Sequence, residues 1–124
     1  GKNFGESKEN LAETASLYAE ETHTVCVLKD ACTVVASEKG KKYLNMSGNA
    51  GMATAGSGDV LSGVLAGVLC MFLAAEKKPA YSQMAALGVL IHGLAGDMAA
   101  ENVGERGMTD RDIIRFLPEV LKVQ

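Results

Sequence analysis

The chain has 124 residues, of which 48% are hydrophobic and 22% are charged, and its formal net charge at pH 7 is −3. These values are typical of a globular protein and leave room for one domain of modest size. Because no basic stripe is present to neutralise phosphates, they argue against a nucleic-acid partner. The three cysteines lie in apolar contexts without a Cys-x-x-Cys pair, which argues against a zinc site and favours a reducing cytoplasm.

The first part of the chain predicts one helix. It begins at a cap on Ser7 and runs to about Glu21. The apolar side of this helix is formed by residues at spacings of four and three, namely Leu11, Ala15 and Tyr18. The polar N-terminus shows no pattern of a signal peptide.

Three short strands are predicted next. Residues 24–28 are apolar on both faces, which is typical of a strand covered on both sides in a parallel sheet. A short connection leads to a strand at 34–36, and a turn at 38–41 then returns the chain as a hairpin through 42–45.

The glycine-rich segment, residues 48–59, is the most informative stretch. Its four glycines lie within residues 48–58 and let a ligand approach the backbone closely. The apolar run that follows predicts a helix beginning near Ser57, whose free N–H groups and dipole would bind an anion such as phosphate. Asp59, in the first turn, either stabilises the helix electrostatically or accepts a proton beside the anion.

The apolar run from Val60 to Ala75 carries no charge over 16 residues. A membrane helix needs about 20 such residues, so the run predicts a buried core helix and no membrane partner. Gly63 and Gly67 lie four residues apart on it, and this spacing predicts close approach of a neighbouring helix or strand.

The next helix is predicted to have Pro79 in its first turn and to be buried on two sides. One side is an apolar stripe, Met84, Leu87, Ile91, Leu94 and Met98, and the other is a stripe of small residues, Gly88, Ala95 and Ala99. His92 is interpreted as a hydrogen-bonded core residue. Asp97 either faces solvent or supports a ligand site.

The last helix is predicted from a capping box formed by Thr109 and Asp112. Pro118 is expected to kink or restart it, because the proline ring does not fit the regular helical backbone. Its inner face is predicted to consist of Ile113, Ile114, Leu117 and Leu121.

Residues 49–61 fit the pattern Asn-x-Gly-Met-Ala-Thr-x-Gly-(Ser/Thr)-Gly-Asp-Val-Leu, and residues 86–97 and 107–109 continue the match. The chain therefore resembles the ADP/ATP-dependent NAD(P)H-hydrate dehydratases, a branch of the ribokinase-like superfamily. The resemblance implies an α/β fold, the C-terminal half of a ribokinase-like three-layer domain, with a small sheet and β-hairpin packed by about four helices. Residues 1–124 would form one partial domain without its N-terminal half. This partial domain would assemble as a homo-oligomer or pair with the N-terminal half.

The reaction implied by the resemblance is the dehydration of (6S)-NAD(P)HX to NAD(P)H at the expense of ADP or ATP, with Mg²⁺ at the nucleotide. Phosphoryl transfer to the substrate hydroxyl precedes elimination, and Asp59 binds that hydroxyl and takes its proton as general base. The residues implied to bind the nucleotide are Lys29, Ala31, Thr33, Asn49, Gly51, Thr54, Gly56, Ser57 and Gly58. Among them, the amides of residues 56–58 would form the anion hole. Asp30 departs from the family's usual glycine, and no set of metal ligands is evident.

Two other interpretations stay open at this point. A ribokinase-like kinase for a sugar or a vitamin precursor would use the same loop and aspartate. A catalytically incomplete nucleotide-binding fragment is the second, because the N-terminal half and the cover of one sheet edge are missing. The segments 52–54 and 92–97 favour the dehydratase.

Overall fold

The sheet is a three-stranded antiparallel meander in the computed structural model, which describes residues 8–29, 32–75 and 80–122. Its strands are β1 (Cys26–Leu28), β2 (Thr33–Ala36) and β3 (Lys42–Asn45), with β2 in the centre and Val35 opposite both Val27 and Tyr43. The predicted hairpin is confirmed. The first strand was expected to lie in a parallel sheet, and this expectation is wrong for the β1–β2 and β2–β3 pairings. A connection this short returns the chain antiparallel.

Both faces of the sheet are covered by helices. On one face, α1 (Lys8–Thr22) packs through Leu11, Ala15 and Ala19 against alternate residues of the strands. On the other face, Val35 and Val27 contact Leu61 of α2 (Ser57–Ala74) and Val89 of α3 (Tyr81–Val103). Alternate side chains along each strand therefore pack into two different cores, one on each face of the sheet. The predicted three-layer α/β arrangement is confirmed.

The last helix, α4 (Asp110–Leu121), packs against α3 around Ala95, Ala99, Met108 and Ile113. Its predicted capping box is present, since the carboxylate of Asp112 accepts the backbone N–H of Thr109 at 2.8 Å. The helix runs through Pro118 without ending there.

Several apolar side chains predicted to be buried are exposed instead: Tyr18, Leu87, Leu94, Ile114 and Leu121. In α1 and α3 the small residues set the buried direction, because alanine and glycine let the neighbouring backbone approach and turn the larger side chains outward. The small-residue stripe of α3 is buried as predicted.

Helix α2 begins at the predicted residue but is not the buried core helix that was expected. Leu61 and Val68 are buried, whereas Met71 and Leu73 are more than half exposed. No described atom lies within 4 Å of a Cβ built on either of the two glycines four residues apart on this helix. By length and composition alone, α2 is apolar enough to cross a membrane.

Four residues with a predicted role lie outside the described ranges: Ser7, Asp30, Ala31 and Pro79. All three cysteines are free, and Cys32 is buried.

Candidate functional site

The first turn of α2 leaves backbone donors free. Gly56 precedes the helix in the left-handed region (φ 87°), and no side chain caps the helix. The amide of Ser57 already donates to the carbonyl of Thr54 at 3.2 Å, so it is not available to an anion as predicted. Among the described residues no hydrogen bond engages the amides of Gly56, Gly58 and Asp59. These free N–H groups, at the positive end of the helix, are suited to bind an anion, and residues 56–59 are called the anion-binding turn.

The beginning of the glycine-rich segment is fastened to α3 by a carboxylate. Asp97 accepts the amide of Gly48 and the side-chain amide of Asn49, each at 3.0 Å. Asn49 also donates to the carbonyl of Gly96 and accepts the amide of Gly51, both at 3.0 Å. The Asn49 side chain thus anchors the segment with all its polar atoms, and Asp97 supports the site instead of facing solvent.

Two glycines allow the glycine-rich segment to pack closely against its neighbours, because a side chain at either position would collide with them. A Cβ on Gly51 would lie 2.5 Å from the sulfur of Met108 and 2.6 Å from the carbonyl of Glu105. A Cβ on Gly96 would overlap the side chain of Met52. Gly51, predicted to bind nucleotide, is therefore a packing position in this structure.

A cleft of about 570 Å³ opens on one side of the α2 N-terminus. Its walls include four residues implied to bind nucleotide: Lys29, Thr33, Ser57 and the anchoring residue Asn49. The ammonium of Lys29 lies 3.8 Å from the position a Cβ of Gly58 would take, which places a positive charge over the first turn of α2. The cleft therefore brings a cation next to the first turn of α2.

The cleft also contains polar groups that the sequence did not indicate as functional. Asn45 and Ser47 line it, and nothing in their sequence context marks them. His92 lines it from α3. Its spacing from the small residues at 88, 95 and 99 places it on the buried face of α3, which is a signal that the sequence did contain.

His92 is buried, as predicted for a core residue, but one of its two ring nitrogens is unpaired in the described part of the chain. Its Nε2 has no hydrogen-bond partner among the described residues, and the same holds for the buried Oγ of Ser57. Burial lowers the pKa of His92, and the charge of Lys29 lowers it further, while a hydrogen bond with the backbone of Ser57 raises it. The imidazole is therefore a neutral group at pH 7.

Asp59 lies on the other side of the α2 N-terminus. It lines a shallow groove between α2 and α4 together with Gly56, Asp110 and Ile114. Its side chain is exposed, and within the described ranges no hydrogen bond or ion pair engages its carboxylate. This carboxylate is free to accept a proton.

The described residues contain no group of three or more His, Cys, Asp or Glu side chains that could hold a metal ion. Mg²⁺ in nucleotide sites is commonly held by phosphates and water with one or two carboxylates. The donor set here fits the nucleotide but does not by itself make a metal site.

The family model described as NAD(P)H-hydrate dehydratase matches residues 1–119. The chain is 46% identical over 98% of its length to the bifunctional NAD(P)H-hydrate repair enzyme Nnr of Moorella thermoacetica, covering 22% of that protein. It is 30% identical, again over 98% of its length, to the ADP-dependent (S)-NAD(P)H-hydrate dehydratase of Bacillus subtilis, covering 42% of it.

Solved structures agree with these relatives. The crystal structure of the ADP/ATP-dependent NAD(P)H-hydrate dehydratase from Bacillus subtilis, co-crystallized with ATP/Mg²⁺, superposes with a TM-score of 0.81 at 30% identity. The match covers 93% of this chain and 39% of that one. The chain thus spans less than half the length of these relatives, and it belongs to the NAD(P)H-hydrate dehydratase family.

Proposed function

We propose that this chain supplies the nucleotide site and the general base of an ADP- or ATP-dependent NAD(P)H-hydrate dehydratase. The observation that carries the proposal is the first turn of α2, where free amides occur together with the ammonium of Lys29 and the unpaired carboxylate of Asp59. The relatives named as dehydratases support the same activity.

The chemistry requires activation of a poor leaving group. In hydrated NAD(P)H a hydroxyl must depart, and phosphorylating its oxygen makes departure easy. The hydroxyl oxygen bonds to the terminal phosphorus of ADP or ATP, the bridging P–O bond breaks, and Asp59 takes the hydroxyl proton. The phosphorylated carbon then expels phosphate, and loss of a neighbouring proton restores the double bond of the reduced nicotinamide.

The two sides of α2 suit the two reactants. The nucleotide would enter the cleft that contains Lys29 and Thr33, with its terminal phosphoryl group at the amides of Gly58 and Asp59. The substrate hydroxyl would approach from the groove that contains the Asp59 carboxylate. Such a reaction depends mainly on positioning and on stabilising charge, and preorganised N–H groups provide both.

Mg²⁺, when bound with the nucleotide, would screen its phosphate charges. The cytoplasm is the proposed location, and a homo-oligomer or pairing with the rest of the domain is the proposed assembly. Both extend the relatives' role in cofactor repair.

The test follows absorbance near 340 nm, where NADPH but not its hydrate absorbs, after addition of ADP or ATP to the hydrate. Regeneration of NADPH that requires the nucleotide supports the dehydratase. Nucleotide consumption only with an added sugar or vitamin precursor would instead show a kinase. No turnover with either, despite nucleotide binding, would show a catalytically incomplete fragment.

The assignment of Asp59 is tested with Asp59→Asn. Loss of the proton acceptor should lower turnover about a hundredfold or more and spare nucleotide affinity. The matched control is Glu20→Gln, which removes one exposed carboxylate on α1 and should leave turnover unchanged. Unchanged turnover in Asp59→Asn would contradict the role of general base.

A further inference from the structure

We infer that His92 and Ser57 form a neutral hydrogen-bonding pair for a phosphoryl oxygen of the bound nucleotide, a site that rests on the proposed function. The two side chains come from different helices, α3 and α2, and both line the cleft next to the first turn of α2. His92 is 5% exposed and Ser57 is 2% exposed. His92 Nε2 and Ser57 Oγ both lack a hydrogen-bond partner within the described ranges.

Two unpaired polar atoms at one cleft point to a ligand. A buried donor or acceptor without a partner is costly, and most such atoms in proteins are paired. Asn45, Ser47 and Asn49 line the same cleft, yet their side chains are all hydrogen-bonded. The Ser47 hydroxyl donates to the Asn45 side chain, which donates to the Ser47 carbonyl, and the Asn49 side chain donates to the Gly96 carbonyl and to the Asp97 carboxylate. The unpaired groups are therefore specific to His92 and Ser57, next to the anion-binding turn.

The neighbouring charges select an acceptor-rich ligand. Lys29 and the amides of the α2 N-terminus are donors only, and the Ser57 hydroxyl and a neutral imidazole each have one hydrogen to donate. Phosphoryl oxygens accept all of these bonds. Burial and the positive charge of Lys29 keep the imidazole uncharged, so it binds phosphate through a hydrogen bond without adding a second buried cation.

Calorimetric titration of the full chain with ADP tests the pair. His92→Phe removes the ring nitrogens and should weaken ADP binding about tenfold or more, the loss of one hydrogen bond to a charged group. His92→Gln returns an N–H group near the Nε2 position and should recover part of the affinity. The matched control is His23→Phe, because the chain has only two histidines and His23 is exposed beside Glu38.

Adenosine, which lacks phosphate, identifies the ligand group. Its affinity should be equal in His92→Phe and in the unsubstituted chain. An equal loss for adenosine and ADP would place the contact on the nucleoside and overturn the inference.

Nitrogen NMR of the unsubstituted chain gives a readout that needs no variant to fold. Of the two histidines, only His92 should shift its Nε2 resonance as ADP is added. A static His92 resonance with saturating ADP, or undiminished affinity in His92→Phe, overturns the pair but leaves the proposed function standing. If the unsubstituted chain does not bind ADP at all, both are overturned.

Discussion

Replacing Gly56 by alanine tests how the anion-binding turn is built. Gly56 has φ 87°, and a Cβ there would overlap the carboxylate of Asp110. The left-handed backbone costs an L-residue about 1–2 kcal/mol. Moving the carboxylate would also disturb its bond with the amide of Arg111, now 3.0 Å long, at about 1 kcal/mol more. We expect Gly56→Ala to lower the free energy of unfolding by about 2–3 kcal/mol.

The assay is urea denaturation of the variant beside Gly40→Ala. Gly40 has a similar φ of 86°, and no atom of the described residues lies within 4 Å of the Cβ position, so it reports the backbone cost alone. The double variant Gly56→Ala/Asp110→Ala should recover about 1 kcal/mol relative to the sum of the single variants. Equal losses at Gly56 and Gly40, with no coupling to Asp110, would refute the overlap.

Three further predictions concern the site. Gly58→Val should weaken ADP binding by blocking approach to the amides, whereas Gly63→Val, on the exposed side of the same helix, should not. Native affinity of Gly58→Val in a calorimetric titration would contradict the anion hole. Asp97→Ala should lower the free energy of unfolding by about 2 kcal/mol and weaken ADP binding, because the glycine-rich segment loses its anchor on α3. A loss of stability without a change in ADP affinity would show that Asp97 stabilises the fold but does not support the binding site. The pKa of His92 is lowered in the folded chain, so the unfolded chain binds a proton at this residue more readily than the folded chain does. The neutral imidazole therefore contributes fully to stability above about pH 6.5, and this contribution is lost as the pH falls towards the folded-state pKa. Denaturation at pH 7.5 and 5.5 should show a smaller difference in His92→Gln than in His23→Gln, and equal differences would contradict the lowered pKa.

Local chemistry explains which elements the sequence predicted correctly. The start of α2 follows from a glycine before an apolar run, and the start of α4 follows from Thr109 and Asp112, only three residues apart. The hairpin follows from two short segments on either side of the charged, glycine-containing turn at 38–41. In each case the determining groups are neighbours in the chain.

The features that the sequence did not predict depend on groups far apart in the chain. Asn49 could not be recognised as an anchor, because its partner Asp97 lies 48 residues away. Leu87 and Leu94 have the spacing of a core stripe, but the side of α3 that is buried depends on where α2 and α4 dock. Periodicity identifies an apolar face of a helix and does not say whether another element covers it.

Helical geometry explains why the candidate site has two sides. Successive residues of an α-helix are rotated by about 100°, so Ser57 and Asp59 project about 200° apart from the first turn of α2. Ser57 thus faces the cleft that contains Lys29, and Asp59 faces the groove beside Asp110. A carboxylate next to bound phosphate would weaken nucleotide binding by like-charge repulsion. On the proposed function, the position of Asp59 across the turn would keep this charge away from the nucleotide. It would also leave the carboxylate within reach of a hydroxyl that approaches the same amides from the opposite side.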